Sequence, residues 1–264
     1  LVSIPFSWIY IYPLDLIEYS ESILYSLGFG SNFYFHYSEN PYAAENSLLK
    51  PFLHTWSLSV EEQFYILFPI FIFLTFNYFR KYQIFLLLAI FLLSLLFAHL
   101  IGKNNPSFNF YILVSRVWEL MAGALISYFY LNRKKDYNLF LNNILTGFGL
   151  FLIFISLIFF DDSMHHPSLV SLIPIFGVCL IIWYSSEQNF VTKILSSKIL
   201  VGIGLISYAL YLWHFPIFAF CRNIDLFNLI QIKLLSFILI FLMSIISFFF
   251  IENKSRDKKK ISFK

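Results

Sequence analysis

Seven runs of mostly apolar residues divide the chain: 53–78, 82–101, 110–131, 139–160, 168–185, 199–220 and 229–251. A helix rises 1.5 Å per residue, so about 20 apolar residues cross the hydrocarbon core of a bilayer. Each run is therefore predicted to be a membrane-spanning helix, and residues 1–14 supply the end of an eighth. The segment 15–52 breaks the pattern. It mixes apolar residues with Asp15, Glu18, Glu21, Glu39 and Glu45, and it predicts a long loop with a short interfacial helix over 22–35. The expected fold class is all-α, a polytopic transmembrane helical bundle with about eight spans.

Composition sharpens this reading. The chain is 59% hydrophobic and 22% aromatic, but only 12% charged. A soluble domain carries about 25% charged residues, so the soluble classes are excluded. Cys179 and Cys221 are the two cysteines. They read as small core residues rather than as a disulfide framework or a metal site. No zinc-type ligand spacing and no phosphate-binding glycine loop occurs, so no metal site is expected. The first residue is Leu and no signal peptide is visible, so the true start of the protein is expected upstream.

Lysine and arginine then orient the spans, because cytoplasmic loops accumulate them. Arg80, Lys81, Arg133, Lys134, Lys135, Lys193, Lys198, Lys254, Arg256, Lys258, Lys259, Lys260 and Lys264 fall on one side when the spans alternate. Only Lys50, Lys103 and Arg222 fall on the other, while Arg116 and Lys233 lie inside spans. The asymmetry predicts a cytoplasmic C-terminus. Loop 15–52 and the loop holding Asp161, Asp162, His165 and His166 then face outward. The paired histidines and aspartates there read first as solvated loop charge, with a metal site as the alternative.

Polar and ionisable groups are expensive at membrane depth, so the places where they persist are candidate sites. Three stand out. The first is the head of the 53–78 run, where His54, Ser57 and Glu61 share one helical face and Glu62 turns about 100° away. Two readings stay open there: an interfacial helix start with its carboxylates in water, or a wall of a polar cavity. The second holds Arg116 and Glu119, three residues apart, followed by Gly123 and Ala124. This is either a local ion pair or an arginine aimed at a phosphate or carboxylate. The third runs from Gly202 to Pro216 and aligns Ser207, Tyr211 and His214, with Tyr208 beside them. It is either aromatic packing around one satisfied His or a cavity wall near a proline-freed carbonyl.

These three motifs, in this order, resemble the acyltransferase 3 family of integral membrane acyltransferases. The likeness is greatest to O-acetyltransferases that modify O-antigen, lipopolysaccharide and other cell-envelope polysaccharides. Residues 50–65, containing HTWSLSVEEQFY, match one family motif. Residues 116–124 match a pattern R-x-WEL-x-x-GA, and 204–216 match G-x-ISYSLYLWHxP. Residues 250–256 match the closing FIExPFR, departing at the Pro and Phe positions. The resemblance covers essentially the whole chain.

That resemblance implies a ten-span core whose first two spans precede residue 1. Residues 1–252 then form the acyltransferase 3 transmembrane domain, and 253–264 a basic cytoplasmic tail or linker, with a soluble SGNH-hydrolase-like domain following in some family members. It implies acyl transfer, usually acetyl, from acyl-CoA to a hydroxyl of a surface polysaccharide or glycolipid, in a bacterial inner membrane. The partners implied are the lipid bilayer, acyl-CoA as donor substrate and the saccharide acceptor, with no bound cofactor and no nucleic acid. The main catalytic His is expected upstream, so the 264 residues alone are expected to be inactive. Within them, Glu61, Glu62 and His54 are the expected supporting catalytic residues. Ser57, Arg116, Glu119, Tyr208, Tyr211 and His214 are the expected substrate or acyl-donor contacts. The competing class is a transporter or flippase without chemistry of its own, since the same intramembrane charges suit a conducting cavity.

Overall fold

The computed structural model describes residues 2–38, 47–131, 138–161, 164–224 and 226–256. All regular structure among them is helical. In chain order the α-helices are α1 (Ser3–Tyr10), α2 (Pro13–Leu27), α3 (Ser31–Ser38), α4 (Thr55–Tyr78), α5 (Gln83–Asn104), α6 (Pro106–Tyr111) and α7 (Leu113–Leu131). They continue with α8 (Leu139–Phe159), α9 (Leu172–Tyr184), α10 (Phe190–Leu195), α11 (Lys198–Asn223), α12 (Ile230–Ser247) and α13 (Asn253–Arg256). A π-helical stretch, Phe248–Glu252, joins the last two. Many of these sequences are rich in Phe and Ile, poor helix formers in water. In lipid the backbone must satisfy its own hydrogen bonds, and that demand overrides propensity.

Six helical segments are long and apolar enough to cross a membrane: Thr55–Tyr78, Arg80–Asn104, Pro106–Leu131, Leu139–Phe159, Lys198–Asn223 and Ile230–Arg256. The expected 168–185 span is shorter, a 3₁₀ turn at Leu169–Ser171 followed by α9. The 110–131 run is not one helix. It breaks at Ile112, whose extended backbone (φ −83°, ψ 139°) separates α6 from α7. Residues 1–14, read as the end of a span, fold as the eight-residue α1 and then turn at Ile11 into Pro13, the first residue of α2.

The expectation of a long loop over 15–52 is corrected. Most of its described part is helix, in α2 and α3. A single helix over 22–35 does not form either. Gly28 ends α2, Phe29 adopts the left-handed region (φ 54°), and Gly30 N–H reaches back to the Tyr25 carbonyl at 2.8 Å. Phe29 N–H bonds the Ser26 carbonyl at 3.3 Å, completing a Schellman cap with Phe at the position Gly normally fills. Glu39, Glu45, Asp162, the cations 133–135 and the tail beyond Arg256 lie outside the described residues.

The chain divides into two compact units. The first comprises residues 1–56 and 197–264. In it α2 and α3 fold onto the 47–56 turn. Thr55 Oγ1 donates to Ser31 Oγ at 3.1 Å and lies 2.7 Å from Ser26 Oγ, while Tyr19 packs on Phe52 at 5.5 Å between ring centroids. The α11–α12 hairpin closes over Ala209, Ala219, Ser236, Ile240 and Ser244, all buried. Small residues there let two lipid-embedded helices approach closely.

The second unit comprises residues 57–196. Its core joins α4, α5 and α7 through Phe64, Leu87, Met121 and Leu125, with Leu95, Ala98 and Trp118 beyond. Helices α8 and α9 cross at Gly149 and Gly177. A Cβ on either would stand 2.6 Å from the other's carbonyl oxygen, so this crossing tolerates only glycine. Next to it Asn189 caps α10 and reaches into α8. Its Nδ2 donates to the Asn142 carbonyl at 3.0 Å and to Thr146 Oγ1 at 2.8 Å.

Candidate functional site

The described polar groups converge at two places, one in each unit. In the first unit the chain leaves the 51–54 turn at His54, and α4 begins at Thr55. His54 therefore stands just before the helix, not on a face shared with Ser57 and Glu61. That corrects the helical-wheel expectation for this residue. Its imidazole is buried, at 6% exposure. It stacks on Phe215 (5.4 Å, 20°) and meets Tyr211 (5.3 Å, 61°) and His214 (5.5 Å, 72°) edge-on. The Tyr211 hydroxyl donates to the His54 carbonyl, which ties α11 to the turn.

His214 is oriented by its own helix. Its Nδ1 lies 2.7 Å from the Tyr211 carbonyl and 3.2 Å from the Leu210 carbonyl. Both partners only accept, so Nδ1 carries a proton and donates it. Pro216 lies within α11 and is buried, one turn from these carbonyls. Trp213, on the next face, donates to Ser247 Oγ on α12 at 2.8 Å. Tyr208 is different: 48% of it is exposed, and Ser207 bonds back to the Gly204 carbonyl of its own helix.

In the second unit Arg116 sits in the first turn of α7. Its Nη1 lies 3.2 Å from Glu119 Oε2, its Nε donates to the Phe110 carbonyl at 2.9 Å, and its guanidinium lies 5.0 Å from the Phe110 ring. The break at Ile112 makes this possible, because it turns α6 back so that Phe110 faces Arg116. A set of small polar groups holds the break. Ser115 Oγ donates to the Asn109 and Ile112 carbonyls, and Asn109 Nδ2 donates to the Pro167 carbonyl at 2.8 Å. Gly102 leaves room for Asn109, since a Cβ there would meet Nδ2 at 2.9 Å. Ser94 of α5 bridges Val114 and Trp118: its hydroxyl donates to the Val114 carbonyl at 2.5 Å and accepts from Trp118 N–H at 3.1 Å.

His166, in the loop expected to face outward, belongs to this second cluster. It stacks on Phe160 at 5.2 Å, and its Nδ1 lies 3.2 Å from Ser171 Oγ. Desolvation lowers its pKa below the usual histidine value, and the charges of Arg116 and His165 lower it further. Among the described residues no group of three His, Cys, Asp or Glu side chains could hold a metal ion. Ser57, Glu61 and Glu62 lie in the first two turns of α4, each half-buried. Phe215 and Asn109 were not singled out by sequence pattern, and His166 was read as solvated loop charge. The signal for Asn109 was present, as a lone amide at the head of an apolar run.

Long apolar helices that hold a histidine pair and a half-buried arginine–glutamate pair belong to a membrane protein with polar sites. Comparison with known proteins gives the class. The profile of the acyltransferase-domain family, acyltransferase 3, matches residues 7–252. The chain belongs to that family. It is 27% identical over 262 residues to the O-acetyltransferase OatA of Staphylococcus aureus, covering 93% of this chain and 43% of that protein. It is 26% identical over 223 residues to the peptidoglycan O-acetyltransferase OatA of Listeria monocytogenes, covering 79% of this chain and 35% of the relative. An uncharacterised protein of Haemophilus influenzae is 30% identical over 205 residues, covering 72% of this chain and 80% of the relative. The chain thus spans less than half the length of the two O-acetyltransferases. No solved structure matches.

Proposed function

We propose that the protein is a membrane O-acyltransferase that moves an acetyl or other acyl group from acyl-CoA to a hydroxyl of a cell-surface polysaccharide or glycolipid. The observation that carries this reading is the cluster of buried His54 with half-buried Tyr211 and His214, within a chain that matches the acyltransferase family over 7–252. Acyl transfer to an alcohol needs a base for the hydroxyl proton and donors for the oxyanion that forms. The base is the histidine expected upstream, and His214, held through Nδ1 by the Tyr211 carbonyl, positions the acceptor hydroxyl. In the reaction the acceptor oxygen bonds the thioester carbonyl carbon, the carbon–sulfur bond breaks, and CoA leaves as the thiol. The names of the Staphylococcus and Listeria relatives support acetyl as the group and peptidoglycan as one acceptor class.

In this reading His54, Glu61 and Glu62 support a principal catalytic histidine that the family resemblance assigns upstream of residue 1. Tyr208, Tyr211 and His214 contact the acceptor, and Ser57 is a further substrate contact. Arg116 contacts the acyl donor, or pairs with Glu119 to fix a cavity wall. The membrane is a bacterial inner membrane, with the C-terminus cytoplasmic. Residues 1–264 alone are then inactive.

The test is full-length protein in lipid vesicles, given labelled acetyl-CoA and a polysaccharide acceptor. Label on the acceptor hydroxyl is the expected result. Movement of acyl or saccharide groups across the bilayer with no covalent transfer would overturn it in favour of a flippase. Transfer by residues 1–264 alone would overturn the assignment of the principal histidine.

A further inference from the structure

Arg222 and Lys233 are two of the five cations that fall outside the charge-rich side of the chain. Arg222 lies in the last turn of α11 and Lys233 in the first turn of α12, at the hairpin end far from Lys198 and Lys254. Both converge on one ring. The Arg222 guanidinium lies 4.5 Å from the Phe227 centroid, and the Lys233 ammonium lies 5.2 Å from it. The two charges are therefore no more than about 10 Å apart. Phe227 is itself held by Phe218 at 5.5 Å, which packs on Phe237 at the same distance. Arg222 also donates to the Leu48 carbonyl at 3.4 Å.

Among the described residues, neither cation lies within ion-pair distance of a carboxylate, whereas the nearby Lys50 is neutralised by Glu18 at 3.1 Å. One ring face attracts a cation through its quadrupole, but it brings no net charge. Two half-buried cations at the edge of a bilayer are expensive until an anion joins them. The surroundings select which anion. Leu226, Leu229, Ile230 and Leu234 are exposed at the same end of the hairpin. A ligand that satisfies the site must present an anionic group at the interface and acyl chains below it. A soluble polyanion would neutralise the cations and leave the leucines bare.

We propose that Arg222 and Lys233 bind the phosphodiester of an anionic phospholipid, with its acyl chains along Leu229, Ile230 and Leu234. Under the orientation expected from the charge asymmetry, this is a lipid of the outward leaflet. The site does not depend on the acyl-transfer reading.

The experiment uses full-length protein purified in mild detergent. Native mass spectrometry and titration with phosphatidylglycerol or phosphatidylcholine measure lipid retention. A headgroup charge near a cation contributes about 1 kcal/mol, so each cation removed should weaken phosphatidylglycerol binding about fivefold. Lys233→Gln removes only the ring contact and tests the site without touching the Leu48 bond. Lys50→Gln, whose charge is already paired, should change nothing.

Unchanged phosphatidylglycerol retention in the Arg222→Gln, Lys233→Gln double variant, with helix content intact, would overturn the proposal. So would a gain of about fivefold in phosphatidylglycerol retention in Asp225→Asn, because the cations would then serve a carboxylate of their own loop. Displacement of the lipid by millimolar inorganic phosphate would reduce the site to a free-phosphate site and overturn the lipid source. Binding of a soluble anionic polysaccharide in place of the lipid would do the same.

Discussion

The two polar regions are built on opposite plans. Around Arg116 the polar atoms are tied to one another. Glu119 takes the charge, Phe110 supplies both a carbonyl and a ring face, and Ser94, Ser115 and Asn109 hold the backbone that presents them. Around His54 the side chains meet through ring faces and edges, with Phe215, Tyr211 and His214 as neighbours. A cation in lipid needs a counter-charge, so an arginine cluster must be closed to be stable. An imidazole is held by one hydrogen bond and a well-packed wall of rings, so a histidine cluster needs no counter-charge. The difference separates a region closed by an ion pair from one closed by aromatic packing.

The largest effect that tests this contrast is on rate. His214→Gln in full-length protein should lower acyl transfer by about 10² with no loss of helix content, as expected for a side chain that positions the acceptor hydroxyl. If His214→Gln transfers at the wild-type rate while the Arg116→Met, Glu119→Leu double variant does not, the roles of the two regions are reversed. The next effect is on stability. Arg116→Met alone leaves Glu119 charged at membrane depth and should cost about 3 kcal/mol, while the double variant should regain most of it. Thermal unfolding in detergent reads this directly. A double variant as unstable as the single one would mean that Phe110 and the ring contact, rather than the ion pair, anchor the region.

Gly149→Val drives a side chain into the Gly177 carbonyl and should destabilise the second unit by about 1–3 kcal/mol. Proteolysis within residues 57–196 should rise, with cleavage within 197–256 unchanged. Tyr211→Phe removes the hydrogen bond to the His54 carbonyl and should cost about 1 kcal/mol in the first unit, with a smaller change in rate than His214→Gln.

The smallest effect is on pH dependence. The pKa of His166 is depressed in the folded state, so the unfolded chain binds more protons just below the ordinary histidine value. Stability contributed by neutral His166 is therefore complete above about pH 6.5 and falls as pH drops through that value toward the lowered folded pKa. His166→Asn should flatten this slope. An unchanged slope would move its origin to another group.

Much of the molecule was legible in the sequence. Spans 53–78, 82–101, 139–160 and 199–220 match α4, α5, α8 and α11 within a few residues, because apolar length is a direct consequence of bilayer thickness. The Arg116–Glu119 pair was legible from its i, i+3 spacing alone. The loop reading of 15–52 failed because its carboxylates masked two helices, and the sign of the break, Gly28 and Gly30, lay inside the segment read as helix. The break at Ile112 carried no Gly or Pro to announce it. His54 was placed on a helix because spacing is counted without knowing where the helix begins.

What the sequence by itself determined is the class of the molecule. Hydrophobic length and composition require helices in lipid, and the HTWSLSVEEQFY, Arg116–Ala124 and Gly204–Pro216 motifs carry the family. What only the tertiary structure decided is which polar groups meet. His54 and His214 are 160 positions apart, Asn109 and Pro167 belong to different runs, and Arg222 and Lys233 share a ring supplied by the loop between them. Periodicity fixes the face a residue occupies on its own helix. It carries nothing about the neighbour that face will meet, because that depends on where each helix starts, breaks and crosses the next.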